Sequence, residues 1–188
     1  MSRQWLVRML TCLMMASTAV AQAEVVRSAE TGFTVNQTVN VTMPPTAAWS
    51  ALSDIGRWWD PEQSYSGDAR NMTLEPYVGG CFCEKMGMYA GVQHMRVIAA
   101  QPGKMLRLTG ALGPLQEFAI TGNLTWTIEV AGGGSRINMV YTASGYADRP
   151  LSEWAPIVDS VLASLMQRLG RFISTGNPGE TKNDNKRD

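Results

Sequence analysis

The feature that most constrains this chain is its last regular segment. From Leu151 to Ile173, apolar residues recur at Trp154, Ile157, Val158, Val161, Leu162, Leu165, Met166, Leu169, Phe172 and Ile173. These spacings of three and four predict one long helix with a single apolar stripe. Asp159, Gln167, Arg168 and Arg171 fall off that stripe and are expected on its outer side. Pro156 lies near the start, where a missing N–H costs least. Gly176-Asn177-Pro178-Gly179 stops the helix. Such a stripe must be buried against something, and most of what precedes it reads as strand.

Phe33, Val35, Val39 and Val41 alternate with Thr34, Asn36, Thr38, Asn40 and Thr42, the period of a half-buried strand. Pro44-Pro45 ends it, and two short helices follow, Thr46 to Leu52 and Ile55 to Trp59. Short strands are expected at Asn71–Pro76 and Cys81–Met86, then longer ones at Val92–Ala100, Met105–Gly110, Phe118–Val130 and Arg136–Tyr146. Gly132-Gly133-Gly134 joins the last two as a hairpin. Glu24 to Thr31 reads as an irregular lead and Ala111 to Glu117 as a loop. The predicted class is α+β. A curved antiparallel sheet of about six to seven strands wraps on the long C-terminal helix, with two short helices after the first strand.

The N-terminus has the order of a secretory signal. Arg3 and Arg8 precede the apolar run Leu6 to Val20, and Ala21-Gln22-Ala23 is a small-x-small cleavage site. The run of roughly 15 residues is short of the ~20 that span a bilayer. The expected organisation is a signal peptide at 1–23, one ligand-binding domain at 24–176 and a polar, disordered tail at 177–188. That places the protein in the periplasm or outside the cell, with no stable membrane anchor after cleavage. The segment after Ala23 holds 14 basic against 16 acidic residues. It has neither the basic stripe of a nucleic-acid binder nor a polybasic membrane patch. Asn-x-Ser/Thr matches at Asn36, Asn40, Asn71 and Asn123 are read as chance, because three of them fall on the wet faces of strands.

Taken together, the order of elements resembles the helix-grip fold of the START-like (SRPBCC) superfamily, which includes polyketide cyclase and dehydrase-like proteins. Pro44-Pro45-Thr46-Ala47-Ala48-Trp49-Ser50-Ala51-Leu52 followed by Trp58-Trp59 is similar to the family's P-x-x-x-V-W-x-x-L … F-x-x-W pattern. Glu75 to Glu84 resembles its G-G-x-F-x-E strand turn, and Val97 to Leu108 its V-x-x-V-x-P-P-x-x-L stretch. The resemblance runs from about Phe33 to Thr175. It implies a hydrophobic tunnel between sheet and long helix, without implying one activity.

Strand phase gives an inward set: Leu106, Leu108, Trp126, Ile128, Met139 and Tyr141. Facing it are Trp154, Val158, Leu162, Leu165 and Met166. With Trp58, Trp59, Phe82 and Glu84 added, and Leu165 and Met166 left out, these residues are the expected ligand contacts, unless they simply fill a solid core. Glu84 shares a strand face with Phe82, so a buried Phe82 carries Glu84 inward. A carboxyl buried there would have a raised pKa and suit general acid or base work. The alternative is a wet carboxylate tied to Arg96 or Arg107. Tyr141 offers a hydroxyl, the second catalytic candidate.

Cys81, Cys83 and His94 form a weak metal candidate, because a turn near Met88-Tyr89 would set Cys83 opposite His94. One residue of register slip separates them. The two cysteines are expected about 6.5–7 Å apart, at or beyond disulfide reach, and read as small buried hydrophobes. No phosphate-cradling glycine motif or hydrolase triad stands out, and no cofactor is expected. The leading reading is a binder of a small hydrophobic or amphipathic molecule. The alternatives are a cyclase- or dehydratase-like enzyme using Glu84 or Tyr141, and a chaperone-like module that binds a protein partner.

Overall fold

The computed structural model describes residues 22–179. The sheet starts one strand earlier than the pattern predicts. Gln22–Ala29, which takes in the end of the predicted signal and most of the lead expected at Glu24 to Thr31, forms β1 and pairs antiparallel with β2 (Gly32–Val41). As the edge strand of the sheet it needs only one partner, so it lacks a strict alternation of apolar residues. The predicted cleavage point after Ala23 falls inside this strand. The rest of the predicted signal, residues 1–21, lies outside the described residues, as does most of the predicted tail, 180–188.

After β2, Pro45 occupies the first turn of α1 (Pro45–Ser53) and the chain continues into a 3-10 turn at Ile55–Arg57. The remaining strands are β3 (Met72–Leu74), β4 (Cys81–Lys85), β5 (Gly91–Gln101), β6 (Met105–Gly110), β7 (Ala119–Ala131) and β8 (Gly134–Tyr146). They complete one eight-stranded antiparallel sheet in the order β1-β2-β8-β7-β6-β5-β4-β3. The fold is α+β, with the long helix α2 (Leu151–Thr175) gripped by the sheet. Among the described residues no helix is long and apolar enough to cross a membrane.

Alternation puts Val35, Leu108, Leu124, Ile137 and Tyr141 on one face, where each is at most 1% exposed. Leu162, Leu165, Met166 and Leu169 of α2 close over that face. Arg168, expected outside, is buried. The reason is a second covering layer. Besides the sheet, α2 packs against α1, and the Trp58–Trp59 segment lies against it, so the helix buries a wider arc than its apolar stripe. Asp159 is likewise drawn in, and its carboxylate accepts from Nε2 of the fully buried Gln37. Burial pushes the Asp159 carboxyl up, and the Gln37 bond opposes it.

Candidate functional site

The site is built on an irregularity in β5. In the β4–β5 ladder Phe82 pairs with Met95 and Cys83 with Gln93, so His94 has no opposite number. Two residues on one strand then oppose one on the other, which is a β-bulge, a device that re-aims a side chain. Alternation breaks there, and both His94 and Met95 face the interior. Gly110, paired with Met95, makes room: a Cβ at 110 would lie 2.7 Å from the His94 carbonyl, and its φ of +144° suits glycine.

Regular pairing would have set His94 beside Cys83. The bulge sets it beside Glu84 instead. His94 Nε2 lies 3.1 Å from Glu84 Oε2, with both residues at most 4% exposed. The metal reading of Cys81, Cys83 and His94 therefore fails, and no group of three or more metal-ligating side chains occurs among the described residues. Cys81 and Cys83 are not two unpaired hydrophobes but a disulfide, half-buried on the other face of β4. Their Cα atoms are 5.4 Å apart, within bridging range, because the strand is irregular where it meets the bulge.

Glu84 points inward with Phe82, as their shared face requires. Among the described residues no arginine bonds to it. Its carboxylate accepts from the backbone N–H of Tyr65 at 3.1 Å and of Ser66 at 2.5 Å. Burial pushes its pKa up, but the bonds from Ser66, Tyr65 and His94 win and hold it below the ordinary carboxylate range. The raised value expected from burial alone is thus overturned. For His94, burial pushes the pKa down and outweighs the hydrogen bond and charge of Glu84, which raise it. The resting pair is a carboxylate and a neutral imidazole. Phe82 and Tyr65 flank the ring, with centroids 5.0 and 5.9 Å away.

His94 is also the polar corner of a partly open cavity of about 170 Å³. One wall is the first half of α2, through Trp154, Val158, Val161 and Leu162, with the exposed Ile157 at the rim. The roof is the β6–β7 connection, Leu112 to Leu115, which carries a 3-10 turn at Gly113–Glu117 where the sequence reads as a plain loop. Trp59 and Gln63 close the remaining side, and the Trp59 indole N–H donates to the Gln63 carbonyl. Trp154 and Trp126 each keep a buried indole N–H with no partner among the described residues.

The expected contacts divide accordingly. Trp59, Trp154, Val158 and Leu162 line the cavity. Trp58, Phe82, Leu106, Leu108, Trp126, Ile128, Met139 and Tyr141 are buried in the core beneath it and are not part of its lining. The centre of the sheet is packed, and the space lies at one end, under the β6–β7 roof. Tyr141 makes a local bond: its Oη accepts from Leu112 N–H at 3.4 Å, and burial pushes its pKa up to about 12. A hydroxyl so far from titration is poorly placed for acid–base work near neutral pH.

With this geometry the chain compares directly with known proteins. A family model described as "Polyketide cyclase / dehydrase and lipid transport" matches residues 32–172. The chain belongs to this family. Solved structures share its fold. CalU16 from Micromonospora echinospora is 14% identical, at TM-score 0.51, over 84% of this chain and 88% of that one. The Aha1 dimer from Colwellia psychrerythraea is 14% identical, at TM-score 0.54, over 76% and 97%. DynU16, from the dynemicin biosynthetic locus, is 16% identical, at TM-score 0.55, over 77% of this chain and 48% of that one. At these identities the likeness is one of fold. Among curated proteins, none matches the sequence. In this family the fold commonly serves to hold hydrophobic ligands.

Proposed function

We propose that this family member binds a small, mostly apolar molecule in the cavity between α2 and the β6–β7 roof, and does so after export. The observation that carries the reading is the composition of the walls. Tryptophan, valine and leucine side chains surround most of the space, and two polar side chains, Gln63 and the ionisable His94, break the apolar lining. That combination, apolar walls with few polar groups, is the usual make-up of a small-molecule site. A cavity near 150 Å³ is large enough for one benzene ring. The cavity here is of that order, about 170 Å³, so the fitting ligand is one ring or an aliphatic group of similar bulk. Export is supported by the leader pattern and by the Cys81–Cys83 disulfide, which persists in oxidising compartments.

The test is native mass spectrometry of protein recovered from the periplasm, with toluene titration followed by NMR. Shifts confined to residues of the cavity walls support the reading. Val158→Trp, which fills the space from the helix side, is expected to abolish them. A well-folded protein whose wall resonances ignore toluene overturns it.

A further inference from the structure

We infer that His94 makes this cavity selective for a ligand with a weakly acidic hydroxyl, a phenol or enol, whose O–H donates to the imidazole Nδ1. The inference rests on the cavity reading above and adds the ligand's chemical class.

The tautomer follows from the partners. A Glu84 carboxylate already accepting from Tyr65 and Ser66 N–H groups has only acceptor capacity to offer, so His94 Nε2 carries the hydrogen and donates. In a neutral imidazole the other nitrogen, Nδ1, is then an acceptor. Nδ1 has no hydrogen-bond partner among the described residues. His94 belongs to the cavity lining whereas Glu84 does not, so the carboxylate holds the ring from behind and leaves the free edge for a ligand. Ring contacts with Phe82 and Tyr65, at centroid distances of 5.0 and 5.9 Å, help to fix its orientation.

This is an acceptor waiting at the end of an apolar slot. Hydrogen bonding to a carboxylate makes an imidazole a stronger base, as in metal-ligating histidines. A ligand that lacks a donor leaves Nδ1 desolvated, and that penalty is what rejects it. An anionic, acceptor-only ligand meets the Nδ1 lone pair, and the lining offers it only neutral donors, the Trp154 indole N–H and the Gln63 amide, with no lysine or arginine. An acidic hydroxyl on a ring satisfies the walls and the corner together, because the more acidic O–H is the stronger donor.

The test compares p-cresol with toluene and 4-methylanisole by calorimetry, with 15N NMR of the His94 ring. p-Cresol is expected to bind about tenfold or more tighter than either analogue, since only its O–H satisfies the Nδ1 acceptor. The Nδ1 resonance is expected to move with p-cresol and stay still with toluene. His94→Phe is expected to erase the margin, and Glu84→Gln to shrink it, with circular dichroism reporting on folding in both. Equal affinity for all three probes overturns the inference and leaves the cavity reading standing. A p-cresol margin that survives His94→Phe also overturns it. Binding of no probe overturns both readings.

Discussion

The guanidinium of Arg168 donates to the carbonyl of Trp58, with Nε 3.1 Å from the oxygen. Its NH2 nitrogen reaches the neighbouring Trp59 carbonyl at 3.2 Å. Trp59 is a wall of the cavity, so this fork ties the gripped helix to the site. Bonds from a charged donor contribute about 1.5–3 kcal/mol, and a carbonyl left buried without one costs about 1–3 kcal/mol. Replacing a buried charge by an apolar chain gives back some desolvation energy. Two abandoned carbonyls outweigh that gain. Arg168→Met is expected to lose about 1–3 kcal/mol in urea melts. A variant as stable as the parent would show that the fork does not hold the segment.

Acidification is expected to destabilise the fold in two stages. Both Glu84 and His94 have pKa values lowered by folding, so the unfolded chain binds protons more readily than the folded one. The stability they contribute is complete above their unfolded values and is lost as pH falls towards their folded ones. For His94 the decline starts near pH ~6.5, and for Glu84 near ~4.3. Tyr65, whose hydroxyl pKa burial, Glu117 and Glu84 all push up, stays neutral across this window. Midpoints measured from pH 8 to below 4 should fall in both windows. In His94→Phe the upper fall should vanish, and its persistence there would point to another group.

Gly170 is expected to resist an otherwise favourable substitution. Alanine in a helix interior gains about 1 kcal/mol over glycine. Here an added Cβ would sit 2.6 Å from Val39 Cγ2, against a side chain stiff at χ1. Overpacking of this kind costs about 1–3 kcal/mol, so Gly170→Ala is expected to be net destabilising by about 1 kcal/mol. Adding Val39→Ala relieves the contact. The double variant should be more stable than the sum of the singles predicts, a coupling that a thermodynamic cycle reads directly. Strict additivity would remove Val39 as the cause.

The parts of this molecule with a strong period were readable in the chain. Leu151 to Ile173 announces α2, and the alternation in Phe33 to Val41 and in the β7–β8 hairpin announces the sheet. What was not readable came from departures from a period. β1 lacks an alternating pattern because an edge strand is only half constrained. Arg168 looks like a surface residue because two of its partners are backbone carbonyls, which leave no mark on side-chain type. The Glu84–His94 pair hinges on one unpaired residue in β5. A strict register puts His94 next to Cys83, and a slip of one puts it next to Glu84. Only Gly110, far away in sequence, hints that the backbone is crowded there.

The same bulge predicts how the cavity roof is held. A bulged strand withdraws carbonyls from the ladder, and they need other donors. Gln116 supplies one: its Nε2 lies 3.2 Å from the Gln93 carbonyl, 3.4 Å from that of His94 and 2.8 Å from that of Ala111. One amide thus joins the roof segment to the strand that aims His94. Gln116→Leu keeps the bulk and removes the donor. It is expected to cost about 1–2 kcal/mol and to loosen residues 111–118 more than the sheet. Hydrogen exchange should quicken at the amides of that segment, such as Leu115 and Phe118, while the β7–β8 ladder keeps its protection. Unchanged exchange at 111–118 would mean that the roof is held by its other contacts, the buried Leu115 and the Leu112–Tyr141 bond among them, and not by the Gln116 amide.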